Sequence, residues 1–389
     1  MTRSAQIRVG AIGCGQFMSR QHIQTIGRSP HLVLRHLADL DPARLAQVAD
    51  RYRAQQRSTR WEDVVADAEV DVVVAGVFPE LHPQIARAAI LADKPIYVEK
   101  PLAPTTEECQ AIQALAEERG VAVAVGFNRR FAPATQLLKE AFRRSASPAT
   151  VYYRIADDDR IRPPEQHWKN ADRLLTETVH IFDLLAYLLA AEPVRIDARA
   201  TRPGDDLVLI DYANGSHAAI LSSSYGSLAQ PKERLEAILD RGAVEMDDFV
   251  EVRSYGLPGI APRTRFAGRP YDGCDNRHVE AFARRGLEAL LEMRSRYEEA
   301  MRDAGVLADS SDAAAWQRAR LRLGEPPPPQ INYAADKGWG AALEEFCLAA
   351  VEGRQPANAT AADGNRATAC AVAARRSLRS GQAVTLELT

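Results

Sequence analysis

Long apolar runs are missing from this chain: nowhere in its 389 residues does a hydrophobic stretch reach the roughly 20 positions that cross a bilayer. Five cysteines, Cys14, Cys109, Cys274, Cys347 and Cys370, are scattered and odd in number. With no C-x-x-C pair and no histidine at ligand spacing, they read as reduced thiols, and neither a disulfide frame nor a metal site is expected. An excess of one charge is also lacking. The 49 Lys and Arg nearly balance the 52 Asp and Glu, a formal −3 that gives no electrostatic reason to expect nucleic acid or an anionic membrane. No internal repeat is found, and no apolar leader precedes the first strand, so a cytoplasmic location is expected. What remains is an ordinary globular composition, 46% hydrophobic and 26% charged, with enough length for two packed domains.

The most informative segment is Ile7-Arg-Val-Gly-Ala-Ile-Gly13-Cys-Gly15-Gln16-Phe17-Met18. An apolar β-type run breaks into close-spaced glycines and then an amphipathic helix, the opening of a dinucleotide-binding βαβ unit. Gly13 permits the tight turn and Gly15 lets backbone N–H groups approach a pyrophosphate. Gln16 and Phe17, which follow the glycines, are expected to contact the cofactor as well, and Met18 stands where a third Gly or Ala is usual. The next strand, Leu32–Ala38, ends in Asp39, where a carboxylate accepts both ribose hydroxyls of NAD and repels the 2′-phosphate of NADP. NAD is therefore expected. Asp41, followed by Pro42, reads instead as a helix N-cap with Pro in the first turn.

Strand patterns at Ile7–Ile12, Leu32–Ala38, 70–77, 95–98 and 121–127 alternate with helical patterns near 19–26, 43–52, 83–91 and Thr106–Arg119. That grammar specifies an α/β fold, a Rossmann doubly wound parallel sheet over residues 1–127. From Asn128 the pattern changes to period-two strands at 149–155, 207–212, 217–222 and 234–239 with one strongly apolar helix. Residues 128–389 are expected to be a substrate-binding, oligomer-forming α+β domain with a largely antiparallel, open-faced sheet. Within it, 256–335 reads as an insertion, with charged helix from about 276 to 304 and through Ala313–Leu323 before four prolines at 326–329. A lid, an oligomer contact and a substrate wall are equal readings of it. An open face carrying Val208, Ile210 and Tyr212 would leave apolar surface in water, so a homodimer or homotetramer is expected unless the insertion covers that face.

The chemistry-bearing segment of the first domain is Tyr97-Val-Glu99-Lys100-Pro101-Leu102. Ligands bind beyond the carboxyl ends of parallel strands, so Lys100 emerges beside a bound cofactor. A strand-end lysine is either a solvated charge or, next to a nicotinamide, a cation that acidifies a reacting alcohol, with Glu99 placed to pin it. In the second domain Glu177, His180 and Asp183 recur at successive threes on the apolar helix and form one polar stripe, preceded by Thr176. The stripe is either a buried, mutually satisfied set or an acid–base site. Phe78, Pro79 and His82 follow the third strand, with His82 either capping a helix or touching the nicotinamide. Of Arg129 and Arg130, one is expected to bind a substrate anion and the other to form a surface ion pair. His22 reads as helical surface or an interdomain contact, and Asp157-Asp-Asp159 as a solvated charge cluster.

Together, Gly13-Cys-Gly15, Asp39, Phe78-Pro-Glu-Leu-His82, Glu99-Lys100-Pro101 and Val125-Gly-Phe-Asn-Arg-Arg130-Phe resemble the Gfo/Idh/MocA oxidoreductases. The resemblance continues through Pro231-Lys-Glu-Arg, Asp247-Asp-Phe249, Asp336-Lys-Gly338 and Ser377-Leu-Arg-Ser-Gly381. It implies NAD(P)-dependent hydride transfer to or from a secondary alcohol of a sugar or cyclitol, with Lys100, His180 and Glu177 catalytic. It also implies that Arg129, Arg130, His167, Trp168, Thr176 and Asp183 contact substrate. Many members carry Asp-x-x-x-His on the helix. Here Thr176 takes the Asp position and Glu177-x-x-His180, with His167-Trp168 upstream, resembles a different branch. Two alternatives are redox-neutral elimination, epimerisation or glycosidase chemistry through a keto-sugar, and a non-catalytic NAD-dependent regulator.

Overall fold

A computed structural model describes residues 6–145, 148–161, 172–272, 276–324 and 330–387. It divides into two compact units: Met1–Phe131 with Gly338–Ala369, and Ala132–Lys337 with Cys370–Thr389. A single boundary after residue 127 does not express this division, because residues 338–369 return to the first unit.

The first unit is built on strands β1 (Ile7–Ile12), β2 (Leu32–Ala38), β3 (Gln56–Ser58), β4 (Val72–Ala75), β5 (Ile96–Val98) and β6 (Val123–Val125). They pair in parallel in the order β6-β5-β4-β1-β2-β3, and the short strand Ala359–Thr360 adds antiparallel to β6. The chain winds outward from β1 to β3 and then outward the other way from β4, so the switch point lies between the carboxyl ends of β1 and β4. Every residue of β4 is buried, as expected for a strand covered on both faces. Asp41 caps the helix Pro42–Tyr52 by accepting the N–H groups of Ala43 and Arg44. The returning helix Trp339–Glu352 supplies Leu343, Phe346 and Cys347 to the core that holds Tyr97 and Val74. The helical pattern near 19–26 is realised as Gln16–Met18, a π-helical turn Ser19–Ile23, and Gln24–Arg28.

In the second unit the strands are β7 (Thr150–Ala156), β8 (Pro193–Arg202), β9 (Asp205–Tyr212), β10 (His217–Ser223), β11 (Glu233–Leu239), β12 (Gly242–Asp247), β13 (Glu251–Tyr255) and β14 (Arg263–Arg265). With the short strand Val384–Thr385 they form a nine-stranded sheet, β14-β13-β12-β11-β7-β10-β9-β8-Val384–Thr385. Only β7 and β10 pair in parallel within it. The open face is not the one expected. Val208, Ile210 and Tyr212 are 0%, 1% and 3% exposed, whereas Leu207 and Leu209 are 42% and 47% exposed, with Tyr152 and Ile238 on the same side. Strand β9 is apolar on both faces, so its alternation marked two faces without saying which one the chain itself covers.

The charged helix expected from 276 to 304 is two helices, Arg277–Arg285 and Leu287–Asp303. Gly286 separates them with φ +55°, and a Cβ there would meet Glu251 Oε2 at 2.3 Å. Met301, Ala304, Ala315, Trp316 and Ala319 of the insertion pack with Leu228 and Ile161 in a core of their own. Among the described residues, no helix is long and apolar enough to cross a membrane.

Candidate active site

The first constellation gathers at the carboxyl ends of β1, β2, β4 and β5. Gly13 has φ +99°, and a Cβ on it would lie 2.4 Å from Gly76 O, so the convergence of the β1 and β4 ends demands glycine. At Gly15 a Cβ would meet nothing within 4 Å. Gly15 precedes the helix start at Gln16 with no side chain capping it, so backbone is open to a ligand there. Met18, in the place of the usual third glycine, has its space made by another residue: a Cβ on Gly76 would meet Met18 Sδ at 2.2 Å. The close packing is kept, and the glycine that permits it has moved to the neighbouring strand. These glycine-lined surfaces fit a dinucleotide.

Asp39 ends β2 with its carboxylate fixed by backbone. Cys14 N–H donates to Oδ2 at 2.6 Å and Asp41 N–H to Oδ1 at 2.9 Å. Arg44 lies alongside, Nη1 3.9 Å from Asp39 Oδ1. Burial, with the Asp39 charge next in weight, pushes the Cys14 thiol up to about 12, so it stays protonated.

Beyond β5, Glu99 is buried and shares its carboxylate between two donors. His22 Nε2 lies 2.8 Å from Oε1, and the Lys100 N–H donates to Oε2 at 3.1 Å. Glu99 thus fixes the backbone that carries Lys100, which is itself half-buried. A Cβ on Gly126 would sit 2.6 Å from Glu99 Oε1, so that glycine also belongs to the support. The surface alternative for His22 is overturned: it is fully buried in the π-helical turn, ringed by Phe17 and Tyr97. His82 does not cap its helix. It is buried with Nδ1 2.7 Å from Pro101 O, and desolvation lowers its pKa, so the ring is neutral and ties the turn after β4 to the Lys100–Pro101 loop. Phe78 is exposed and Pro79 opens the short 3₁₀ turn that follows. Arg129 and Arg130 are both buried, and the ion pair of Arg130, 3.0 Å from Asp363, is an interior one.

The second constellation starts in a π-helical turn, Leu174–Thr178, that runs directly into the helix Val179–Leu189. Glu177 therefore leaves the wider turn and His180 and Asp183 the α-helix, so the polar stripe is not a single α-helical one. Wide turns of this kind recur at functional sites. Arg173 pins the turn to the sheet: it donates to Ser222 Oγ at 2.9 Å and to Ile155 O at 3.0 Å, and pairs with Asp159. Thr178 Oγ1 lies 2.8 Å from the same Ser222 hydroxyl. His180 and Asp183 are 7% and 1% exposed, while Thr176 and Glu177 are half-buried. Thr176 bonds back to Asp172 O at 2.8 Å. Glu177 Oε2 receives Lys232 Nζ at 3.0 Å.

The acidic run at 157–159 is also corrected, since Asp157 and Asp159 are buried. Sequence reading assigned no role to Lys232 or Arg173. Lys232 did stand inside a quoted motif, Pro231-Lys-Glu-Arg, but its partner is 55 positions away. His167 and Trp168 lie outside the described residues.

Residues 7–127 match the family model described as "Oxidoreductase family, NAD-binding Rossmann fold", the Gfo/Idh/MocA family. An inositol 2-dehydrogenase of Saccharopolyspora erythraea is 28% identical over 362 residues, 85% of this chain and 98% of that protein. One from Acidothermus cellulolyticus is 31% identical over 205 residues, 52% of this chain and 59% of that protein. Among solved structures, a levoglucosan dehydrogenase in complex with NADH and L-sorbose superposes with a TM-score of 0.74 at 18% identity, covering 99% of this chain and 100% of that one. That likeness is one of fold. Over residues 7–127, which carry the glycine turn, Asp39 and the Glu99-Lys100-Pro101 strand end, the chain is similar to the NAD-binding Rossmann domain of the Gfo/Idh/MocA oxidoreductases.

Proposed function

We propose that this protein transfers a hydride between NAD and a secondary alcohol or ketone of a sugar, sugar derivative or cyclitol. Two observations carry this reading, one in each unit: the Lys100 N–H is held by Glu99 after β5, and the Glu177 carboxylate, three positions before His180, is held by Lys232. NAD, when bound, accepts or returns the hydride. Gly13, Gly15, Gln16 and Phe17 hold its pyrophosphate, Asp39 its ribose, and Phe78, Pro79, His82 and Glu99 the surroundings of the nicotinamide. Lys100 or His180 takes the hydroxyl proton, and Glu177 orients His180 or grips a substrate hydroxyl. Arg129, Arg130, Thr176 and Asp183 serve substrate binding, together with His167 and Trp168.

A sugar-like substrate is supported by relatives named as inositol dehydrogenases and a levoglucosan dehydrogenase. Held geometry of this kind can supply roughly 7–11 kcal/mol of a barrier reduction. The test is a panel of myo-inositol, scyllo-inositol and levoglucosan with NAD, read as NADH appearance. Lys100→Ala and His180→Ala should each lower kcat by about 10²–10⁴-fold with NADH affinity unchanged. Wild-type turnover in both variants overturns the assignment. Product formed without net NADH replaces it by a redox-neutral reaction.

A further inference from the structure

Charges continue inward from Glu177. Its Oε2 lies 3.0 Å from Lys232 Nζ, and that ammonium is 3.8 Å from Asp157 Oδ2. Asp157 is already engaged, accepting from Asn332 Nδ2 at 2.7 Å and facing Arg294 at 3.8 Å. Arg294, fully buried on the insertion helix Leu287–Asp303, donates to Leu228 O at 2.8 Å and reaches Asp248 at 3.5 Å. Asp248 shares Lys337 with Glu233, at 2.9 and 2.7 Å.

Among the described residues, Lys232, Arg294 and Lys337 thus face Glu177, Asp157, Asp248 and Glu233 in one contiguous buried cluster. A carboxylate shielded from water is favoured in its charged form by a cation beside it. Glu177 is the carboxylate of this cluster closest to solvent: its side chain is 15% exposed, against 6% for Asp157 and 0–2% for Glu233 and Asp248. With Asp157 held by Asn332 and Arg294, Lys232 stands closer to Glu177 than to its other carboxylate neighbour.

We propose that Lys232 is a positioning residue for the reaction, its ammonium holding the Glu177 carboxylate ionised and in place three positions before His180, and that the insertion serves this through Arg294 and Asn332 on Asp157. The proposal rests on the assignment of Glu177 and His180 to the reaction. Among the described residues, Lys232 from the segment before β11 faces Glu177, Asp157 after β7 lies beside the same ammonium, and His180 and Asp183 follow on the helix into which the turn of Glu177 runs.

The test uses Lys232→Met, Lys232→Arg and Lys232→Met combined with Glu177→Gln. Thermal unfolding of the full chain from pH 5.5 to 8.5 needs no substrate. Without the ammonium 3.0 Å away, the Glu177 carboxylate is harder to ionise in the folded chain, so Lys232→Met should lose most stability relative to wild type as the pH rises. Lys232→Arg should follow the wild-type curve, and adding Glu177→Gln to Lys232→Met should restore it. With whichever of myo-inositol and levoglucosan the wild type oxidises, Lys232→Met should move the acid limb of kcat/KM up by about 1–3 pH units, NADH affinity being unchanged. A Lys232→Met curve parallel to wild type in both measurements overturns the proposal, as does Lys232→Arg failing as fully as Lys232→Met. If the wild type oxidises no polyol of the panel, the proposed function falls, and the unfolding curves still decide the coupling of Lys232 to Glu177.

Discussion

Asp39, proposed to hold the ribose diol, has its carboxylate ordered by the protein's own backbone. Two backbone N–H groups, of Cys14 and Asp41, hold its oxygens at 2.6 and 2.9 Å, so little ordering remains to be done on binding. NAD should bind more tightly than NADP in calorimetric titrations. Asp39→Ala should weaken NAD by on the order of 1.5–3 kcal/mol and narrow the gap, with Arg44 left to meet a 2′-phosphate. Equal affinity in the wild type would reject the role of Asp39. A second carboxylate, Asp206 on β9, is raised to about 6 by desolvation, against which Arg173 works. Its folded value lies above the unfolded one, so the folded chain holds that proton more tightly and stability falls as pH rises from about 4 to about 6. Asp206→Asn should flatten that slope in denaturant titrations and stabilise the protein at pH 7 by on the order of 1–3 kcal/mol. Gly13, Gly15 and Asp39 were legible because a turn and a strand end are local. The His22–Glu99 pair was not, its members being 77 positions apart.

At the scale of the element, the turn Leu174–Thr178 carries the candidate chemistry of the second unit, and one residue secures it. Arg173 is buried against Asp159, so Arg173→Met leaves a carboxylate without its cation and should cost about 3–5 kcal/mol in urea unfolding. Adding Asp159→Leu should recover part of that loss. An undiminished urea midpoint in Arg173→Met would show that the turn stands without it. The helix Thr106–Arg119 was readable end to end, because Thr105 accepts the Glu108 N–H at its start and Gly120 takes the left-handed conformation at its close. The π-turns at Ser19–Ile23 and Leu174–Thr178 were not readable, since an extra residue in a turn leaves an apolar pattern almost unchanged. The split at Gly286 was missed for a different reason: the glycine is required by Glu251, a residue on another element.

For the whole molecule, the second sheet leads to a prediction about assembly. Leu207, Leu209, Tyr152 and Ile238 leave an apolar stretch of its open face exposed, and the insertion does not bury these residues. A homodimer or homotetramer should be the mass found by light scattering at micromolar concentration. Leu209→Glu should shift it toward the monomer, and a monomeric wild type would overturn the expectation. By itself the sequence determined the parallel and antiparallel grammar of the two sheets, the glycine turn and the carboxylate that follows the second strand, because each is written in neighbouring residues with a fixed period. Only tertiary structure decided which face of β9 is covered, that Gly76 makes room for Met18, that residues 338–369 rejoin the first unit, and that Lys232 meets Glu177. Burial and ion pairing are set by what lies across space, and a side chain's own type and spacing do not encode the partner that arrives from a distant strand or helix.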